Sequence, residues 1–280
     1  MKMQEVRVDD VLAEFSAPIR LGGGGQKQVY RATHPVYGEV AVKIGRYSSQ
    51  SELERISREV GLLQSIDSPY FPKQFLFEPR SGSRFCIVEE LISGQPLEHH
   101  LGDFNEPYEA LKLIRHVVNA MSILWSRRVV HRDLKPANII IAYDHPRIID
   151  LGIARMQDAT SLTLSFVPFG PCTPDYASPE QLTNQKRAID HRSDQFTLGI
   201  VLAQLILRGT HPFDPSVIGQ GGSIPERILQ NAWQRDAIQA ACSPGIFALV
   251  EKMLGSKPYL RFRRYQDLSC EISHILEGDR

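Results

Sequence analysis

Three side chains suited to phosphate chemistry lie within residues 131–138, which read His-Arg-Asp-Leu-Lys-Pro-Ala-Asn. Asp133 is a candidate base that orients a hydroxyl, and positioned bases of this kind contribute about 10²–10⁴-fold to a rate. Lys135 can neutralise the charge of a transferring phosphate, and Asn138 offers an amide oxygen to a metal ion. A carboxylate, an ammonium and an amide at this spacing predict phosphoryl transfer.

Asp150 is the second candidate metal ligand. It follows the short run Arg147–Ile149, so its carboxylate is predicted at the end of a strand. Mg²⁺ prefers one or two protein oxygens together with phosphates and water, a requirement that Asn138 and Asp150 together would meet. Asp and Asn are also ordinary turn residues. The presence of Asp133 and Lys135 in the same part of the sequence nevertheless favours metal binding over a turn.

A run of four glycines, residues 22–25, lies between two predicted strands. Glycine lets backbone amides approach a polyphosphate without interference from a side chain, although flexible loops carry glycine runs as well. A dinucleotide-binding fingerprint is disfavoured, because its glycine turn opens a helix, whereas Val29–Arg31 continues here as a strand.

Lys43 ends the apolar run Val40–Val42 and is predicted to leave its strand toward a pocket. Glu59 is its predicted partner, because it lies between Ile56 and Leu63, near the buried stripe of the next helix. The alternative is an ordinary solvated glutamate on a helix surface.

The elements that would position these groups change character near residue 92. Before it, short β-branched runs separated by turns predict a β-sheet, together with one helix whose apolar stripe is Leu53, Ile56, Val60 and Leu63. Ser51 and Glu54 fit a capping box at the start of that helix. Beyond it, helices are predicted over 109–127, 194–207, 224–241 and 246–254. We therefore expect an α+β protein with a β-rich unit over 1–92 and a mainly helical unit over 93–280.

Composition disfavours several classes of protein. The 32 basic and 32 acidic residues cancel, which gives no support for nucleic-acid or membrane-surface binding. The best apolar run, residues 196–207, is shorter than the roughly 20 residues that a bilayer requires, so no membrane segment is expected. The cysteines form no Cys-x-x-Cys pair, and we therefore expect neither a zinc site nor disulfides, and a cytoplasmic location.

The order of these motifs resembles that of the Hanks-type serine/threonine protein kinases found widely in bacteria, from Leu21 to about Leu268. Residues 178–180, Ser-Pro-Glu, resemble the family's Ala-Pro-Glu motif. Asp194 resembles the aspartate that braces the catalytic loop, and Arg261 the arginine that pairs with Glu180. The roles given above to the phosphate-binding groups are those of this family's template. The resemblance implies a bilobal kinase fold, with a small antiparallel sheet lobe bearing one helix and a larger helical lobe.

The same resemblance implies ATP and Mg²⁺ as cofactors, with Mn²⁺ as a substitute for the metal. The Glu90 carbonyl and the Ile92 amide would bind adenine. The implied nucleotide contacts are Leu21, Gly22, Gly24, Val29, Ala41, Lys43, Glu90, Ile92 and Ile140. The implied substrate is a protein Ser or Thr hydroxyl, including one on the kinase itself. Candidate acceptors in its own chain are Thr160, Ser161, Thr163 and Ser165.

Four positions depart from the family pattern, one of them Gln26, which replaces the aromatic residue at the tip of the glycine loop. Lys27 replaces the third glycine of the glycine loop, and Leu151 replaces the phenylalanine of Asp-Phe-Gly. Glu89 occupies the gatekeeper position, which is normally apolar or threonine. A carboxylate there is costly unless it is paired, so Lys43 is its predicted partner, in competition with Glu59.

Two other functions are weighed against an active protein kinase. A pseudokinase that binds nucleotide as a scaffold would fit the departures at Lys27 and Glu89, although Lys43, Asp133 and Asp150 are all retained. A small-molecule kinase of the aminoglycoside or choline type generally lacks the Ser-Pro-Glu motif that this chain carries. We therefore predict a serine/threonine protein kinase in which Lys43, Asp133 and Asp150 meet around one triphosphate.

Overall fold

The computed structural model describes residues 8–23, 27–143, 145–150, 155–156, 173–218 and 221–278. The chain divides into two units, Met1–Ser93 and Gly94–Arg280. Within the described residues, no helix is both long and apolar enough to cross a bilayer.

An antiparallel five-stranded sheet forms the first unit, in the order β1-β2-β3-β5-β4. Its strands are β1 (Ser16–Gly23), β2 (Lys27–His34), β3 (Gly38–Arg46), β4 (Gln74–Arg80) and β5 (Arg84–Glu90). At the turn between β2 and β3, Gly38 adopts a positive φ of 72°, which suits a residue without a Cβ. His34 Nδ1 accepts a hydrogen bond from the Val36 amide at 3.1 Å in the same turn.

Helices pack against both faces of this sheet: α1 (Val8–Leu12) and α2 (Gln50–Gln64). Side chains alternate between the two faces of a strand, so β5 supplies both cores. Val88 packs with the buried Val11 and Leu12 of α1. Ile87 packs on the other face with Val60 of α2.

Helix α2 begins two residues earlier than the predicted capping box. Ser49, rather than Ser51, is the N-cap, and its hydroxyl accepts a hydrogen bond from the Glu52 amide at 3.2 Å. Glu52 in turn accepts one from the Ser48 amide at 2.7 Å. The prediction was wrong because Ser49 and Glu52 have the same Ser-x-x-Glu spacing as Ser51 and Glu54.

The second unit is mainly helical. Its helices are α3 (Pro107–Ser126), α4 (Pro179–Leu182), α5 (His191–Ile206), α6 (Pro215–Ile218), α7 (Ile224–Gln230), α8 (Arg235–Ala241), α9 (Pro244–Met253) and α10 (Tyr265–Gly278). Short strands form two small sheets: β6 (Gln95–Pro96), β8 (Ile139–Ile141) and β9 (Pro146–Ile148) in one, and β7 (Val129–Val130) and β10 (Arg155–Met156) in the other. An antiparallel sheet in one unit and helices in the other confirm the predicted α+β class.

Helix α5 lies at the centre of the second unit. Every residue from Ser193 to Ile206 is buried, as expected of a helix that packs on all sides. Gly199 allows a close approach of α9, because a Cβ built at this position would lie 2.9 Å from the Cβ of Met253. The N-terminus of α5 is capped by Asp190, which accepts a hydrogen bond from the Arg192 amide at 2.8 Å.

The single helix predicted over 224–241 is two helices, α7 and α8. Asn231 ends α7 in the left-handed conformation, with φ 55° and ψ 33°. Asparagine tolerates this conformation better than most residues, so the chain turns here although the apolar pattern continues. Helix α10 was not predicted, and it buries Leu268, Ile272 and Ile275.

Candidate catalytic site

The loop 131–138 is fixed to the first turn of α5 by the carboxylate of Asp194. Asp194 Oδ2 accepts hydrogen bonds from the indole of Trp125 at 2.9 Å and the amide of His131 at 3.0 Å. Asp194 Oδ1 accepts one from the Arg132 amide at 3.0 Å. Burial raises the pKa of the Asp194 carboxyl, while these hydrogen bonds favour its charged form. The predicted bracing role of Asp194 is confirmed.

Asp133 is held by Thr173, on the segment that leads to α4. Asp133 Oδ1 accepts hydrogen bonds from the Thr173 amide at 2.7 Å and the Thr173 hydroxyl at 2.8 Å. The Lys135 ammonium donates to the same hydroxyl at 2.6 Å and lies 3.3 Å from Asp133 Oδ2. The structure therefore brings the predicted base and the predicted phosphate-neutralising lysine together around one hydroxyl group.

Asn138 presents its amide oxygen as the atom able to bind a cation, because its amide nitrogen donates to the Asp133 carbonyl at 2.7 Å. The Asn138 carbonyl accepts a hydrogen bond from the Ile149 amide at 2.9 Å, immediately before Asp150. No group of three His, Cys, Asp or Glu side chains that could hold a metal ion occurs in the part of the chain that the structure describes. Asn138 and Asp150 are the residues here that could hold a divalent ion together with oxygens of its ligand, a donor set that suits Mg²⁺.

Two residues of this site have left-handed backbone, Arg132 at φ 68° and Asp150 at φ 66°. This conformation costs an L-residue about 1–2 kcal/mol, so the surrounding contacts must maintain it. One such contact is made by Gln181 of α4, whose side-chain amide donates to the Arg132 carbonyl at 2.7 Å. The side-chain oxygen of Gln181, Oε1, accepts a hydrogen bond from the Ser178 amide at 3.0 Å, which links the segment after Thr173 to the loop.

Glu180 and Arg261 form a buried bidentate ion pair, as predicted. Arg261 Nη1 donates to Glu180 Oε1 at 2.7 Å, and Nη2 donates to Oε2 at 3.0 Å. The hydroxyl of Ser193 also donates to Glu180 Oε1, at 2.6 Å. Burial alone would raise the pKa of Glu180, but the hydrogen bonds from Arg261 and Ser193 outweigh it and lower the pKa below its ordinary value.

The pKa of Glu180 gives its ion pair a defined pH dependence. Because the folded-state pKa is lowered, the stabilisation is fully present above the pKa of an unfolded glutamate, about 4.3, and is lost as the pH falls through the folded value. We expect the loss of unfolding free energy in Glu180→Gln to be largest at neutral pH and smaller near about pH 3. Urea denaturation of both proteins across this range measures it. A constant difference would mean that the charge of Glu180 does not stabilise the fold.

In the first unit, one face of the sheet gathers the residues predicted around the nucleotide. Val29 of β2 lies opposite Lys43 of β3, and Ala41 lies opposite Glu89 of β5. Residues directly opposite in an antiparallel pair share a face, and so do alternate residues of one strand. Val29, Ala41, Lys43 and Glu89 therefore lie on the same side of the sheet.

Lys43 makes a buried ion pair with Glu89, as predicted from the cost of burying that carboxylate. The Lys43 ammonium contacts Glu89 Oε1, and Gln74 of β4 donates to Glu89 Oε2 at 2.5 Å. Glu59 of α2 is also buried, and its carboxylate lies 3.5 Å from the guanidinium of Arg55. The predicted pairing of Lys43 with Glu59 stays a prediction.

The other predicted nucleotide contacts are distributed over both units. Leu21 is exposed on β1, and Ile140 is buried in β8. Glu90, which ends β5, accepts a hydrogen bond from the Lys73 amide with its side chain at 3.1 Å. Gly24, Leu151 and the candidate acceptors Thr160, Ser161, Thr163 and Ser165 lie outside the described residues. The meeting of Lys43, Asp133 and Asp150 around one triphosphate stays a prediction.

Three residues that support the site were missed by sequence reasoning: Gln74, Trp125 and Gln181. Each positions a residue of the site, Glu89, Asp194 or Arg132, through its side-chain amide or indole. Their partners are 15, 69 and 49 positions away along the chain, and no local pattern marks them. The predicted Ser-Pro-Glu motif is a partial signal for Gln181, which directly follows it.

Comparison with known proteins agrees with this geometry. A family model described as "Protein kinase domain" matches residues 15–271. Serine/threonine-protein kinase pkn2 of Myxococcus xanthus is 33% identical over 222 residues, which cover 75% of this chain and 25% of that protein. Serine/threonine-protein kinase PrkC of Bacillus subtilis is 30% identical over 274 residues, which cover 93% of this chain and 40% of that protein.

A third relative, serine/threonine-protein kinase PknB of Mycobacterium leprae, is 28% identical over 274 residues, which cover 92% of this chain and 42% of that protein. The chain thus spans less than half the length of each of these three relatives. All three are bacterial proteins named as serine/threonine kinases, which confirms the resemblance drawn from the motifs. On the match over residues 15–271 and these relatives, the chain belongs to the protein kinase family, in its bacterial Hanks-type serine/threonine branch.

Proposed function

We propose that this chain is a catalytic domain that transfers the γ-phosphoryl group of ATP to a Ser or Thr hydroxyl of a protein. The observation that carries the proposal is the position of the Thr173 hydroxyl. It donates to the Asp133 carboxylate at 2.8 Å and accepts from the Lys135 ammonium at 2.6 Å. A substrate hydroxyl needs the same two neighbours: a carboxylate that takes its proton, and a cation that neutralises the phosphate it attacks.

In the proposed reaction, Asp133 acts through its second oxygen. Thr173 occupies Oδ1, so Oδ2 is the atom that orients the incoming hydroxyl. As the hydroxyl oxygen bonds to the γ-phosphorus, the bond between that phosphorus and the β,γ-bridging oxygen breaks, and ADP leaves. The hydroxyl proton passes to Asp133 Oδ2, and Lys135 offsets negative charge on the transferring group.

The remaining residues are proposed to bind and orient the nucleotide. Lys43, supported by Glu59, would pair with the α- and β-phosphates. Leu21, Val29, Ala41 and Ile140 would enclose adenine, which would bond to the Glu90 carbonyl and the Ile92 amide. Backbone amides near Gly22 and Gly24 would bind phosphate oxygens. The shared sheet face of Val29, Ala41 and Lys43 supports this assignment.

Asn138 and Asp150 are the residues that would hold Mg²⁺, or Mn²⁺ in its place. When bound, the ion would neutralise phosphate charge and orient the γ-phosphoryl group. The engaged amide nitrogen of Asn138 supports this role, because it leaves the amide oxygen as the ligand atom. We propose a cytoplasmic location and protein substrates that include the kinase itself. The free thiols of Cys86, Cys242 and Cys270 are consistent with a reducing compartment.

Incubation with Mg²⁺ and ATP radiolabelled at the γ-phosphate tests the proposal, with a generic basic protein as acceptor. We expect label on phosphoserine or phosphothreonine of the acceptor or of the kinase itself. Chelation of the metal should abolish labelling, and added Mg²⁺ or Mn²⁺ should restore it. Label on an amino sugar or choline, with none on protein, would favour a small-molecule kinase. Nucleotide binding without transfer to any acceptor would favour a scaffold.

A further inference from the structure

We propose that Glu89 is a built-in competitor of the nucleotide phosphates: its carboxylate holds the Lys43 ammonium and thereby lowers the affinity of this domain for ATP. This inference rests on the proposed function, in which Lys43 binds phosphate. It adds a positioning residue that sets how readily that lysine is available to the nucleotide.

The contact is built across three adjacent strands. Glu89 of β5 lies directly opposite Gln74 on β4 and Ala41 on β3. Lys43 lies two residues further along β3, on the same face, and reaches Glu89 diagonally. Glu89 Oε1 contacts the Lys43 ammonium, while Oε2 accepts the Gln74 amide at 2.5 Å. Each carboxylate oxygen thus has a defined donor, one on each neighbouring strand.

Burial makes this contact strong. Lys43 is 6% exposed and Glu89 is 4% exposed, so water screens their attraction far less than at the surface. Neither charge can lose its partner without a large desolvation cost. A ligand that recruits Lys43 must therefore either displace Glu89 or share the ammonium with it.

The geometry allows the Lys43 ammonium to bind Glu89 and a phosphate at the same time, but the negative charge of Glu89 makes this arrangement unfavourable. An ammonium has three donors, and one of them suffices for Glu89. The carboxylate nevertheless cancels most of the field that an approaching phosphate would meet, because the two charges are in contact. Arg55 of α2 has acidic neighbours of its own, Glu52 at 3.6 Å and Glu59 at 3.5 Å. Neutralising Glu89 would therefore remove the carboxylate that is in contact with Lys43, and it would strengthen the positive potential that a phosphate meets at this ammonium.

Glu89→Gln tests the proposal, because glutamine keeps the shape of the side chain and its hydrogen-bonding ability while it removes the charge. The probes are ADP with Mg²⁺ and adenosine, titrated into the full chain by calorimetry. We expect the Kd for ADP to fall about tenfold, and the Kd for adenosine to stay within about twofold, since adenosine carries no phosphate. An unchanged or higher Kd for ADP would overturn the proposal.

Gln74→Leu is the matched control. It removes the hydrogen bond to Glu89 Oε2 and loosens the same cluster, but it leaves the carboxylate charged. This variant should gain no affinity for ADP. If both variants bound ADP more tightly to the same extent, the effect would come from a loosened sheet and not from the charge, and the proposal would fall.

A measurement without nucleotide separates this inference from the proposed function. Lys43→Met should lower the melting temperature, because it leaves Glu89 buried without its cation, and Lys43→Met with Glu89→Met should recover most of the loss. Additive losses would show that the pair is not coupled. Failure of both the wild-type chain and Glu89→Gln to bind ADP, with the melting result as expected, would instead reject nucleotide binding and with it the proposed function.

Discussion

Asp133→Asn is expected to lower the turnover of phosphoryl transfer by about 10²–10⁴-fold, while ATP binding stays intact. Asparagine has the shape of aspartate, and its oxygen can accept the two hydrogen bonds that Thr173 donates to Oδ1. Its amide nitrogen, however, would replace Oδ2, which lies 3.3 Å from the Lys135 ammonium. That nitrogen cannot take a proton from a hydroxyl. Initial rates with saturating ATP and a basic protein acceptor measure the loss.

Two controls separate a chemical effect from a structural one. Asp236→Asn removes an exposed carboxylate of α8, far in sequence from the loop, and should keep normal turnover. The melting temperature of Asp133→Asn should stay close to that of the wild type. A stable Asp133→Asn variant with turnover near the wild-type value would remove Asp133 from the reaction.

Arg261→Met is expected to lower the free energy of unfolding by about 3–5 kcal/mol. The substitution leaves the buried Glu180 carboxylate without the two hydrogen bonds from the guanidinium. It also deprives the Gly255 and Arg192 carbonyls of donors at 2.8 and 2.9 Å. A loss of this size is a large share of the 5–15 kcal/mol that typically stabilises a protein. Urea denaturation at neutral pH measures it.

The exposed pair of Arg264 and Asp267 provides a matched comparison in the same unit. Arg264→Met breaks a contact at the surface, and we expect nearly unchanged stability because water solvates the remaining carboxylate. Arg261→Met with Glu180→Met should recover part of the loss, because the double variant buries no unpaired charge. Equal losses in Arg261→Met and Arg264→Met would contradict a stabilising role for the buried pair.

The residues that react or carry charge could be predicted from the sequence because their motifs are short segments or follow one another along the chain in the order typical of the family. Asp133, Lys135 and Asn138 fall within one short segment, and in the structure Asp133 and Lys135 meet at the Thr173 hydroxyl while Asn138 donates to the Asp133 carbonyl. The pairing of Arg261 with Glu180 followed from the order of the kinase motifs. The contact of Lys43 with Glu89 followed from a physical requirement, since a buried carboxylate needs a cation.

Residues that hold those groups in place were not predictable in the same way. Gln74 and Trp125 each act through one hydrogen bond to a partner on another element. Their residue types are compatible with many surface or core positions, so nothing in their neighbourhood distinguishes them. Helix ends were ambiguous for a related reason. Ser49 and Ser51 fit the same cap, and the left-handed turn at Asn231 interrupts an apolar pattern that continues beyond it.

The attachment of the catalytic loop to Asp194 has a consequence for heat inactivation. A surface loop of eight residues would ordinarily open locally at little cost. Here the amides of His131 and Arg132 are anchored to a carboxylate inside the most buried helix of the second unit. The loop therefore shares the resistance of that helix to opening. On heating, the catalytic loop should therefore lose its arrangement only when the helical core of the second unit unfolds. We expect no long-lived state in which the protein is folded but this loop alone is disordered and inactive.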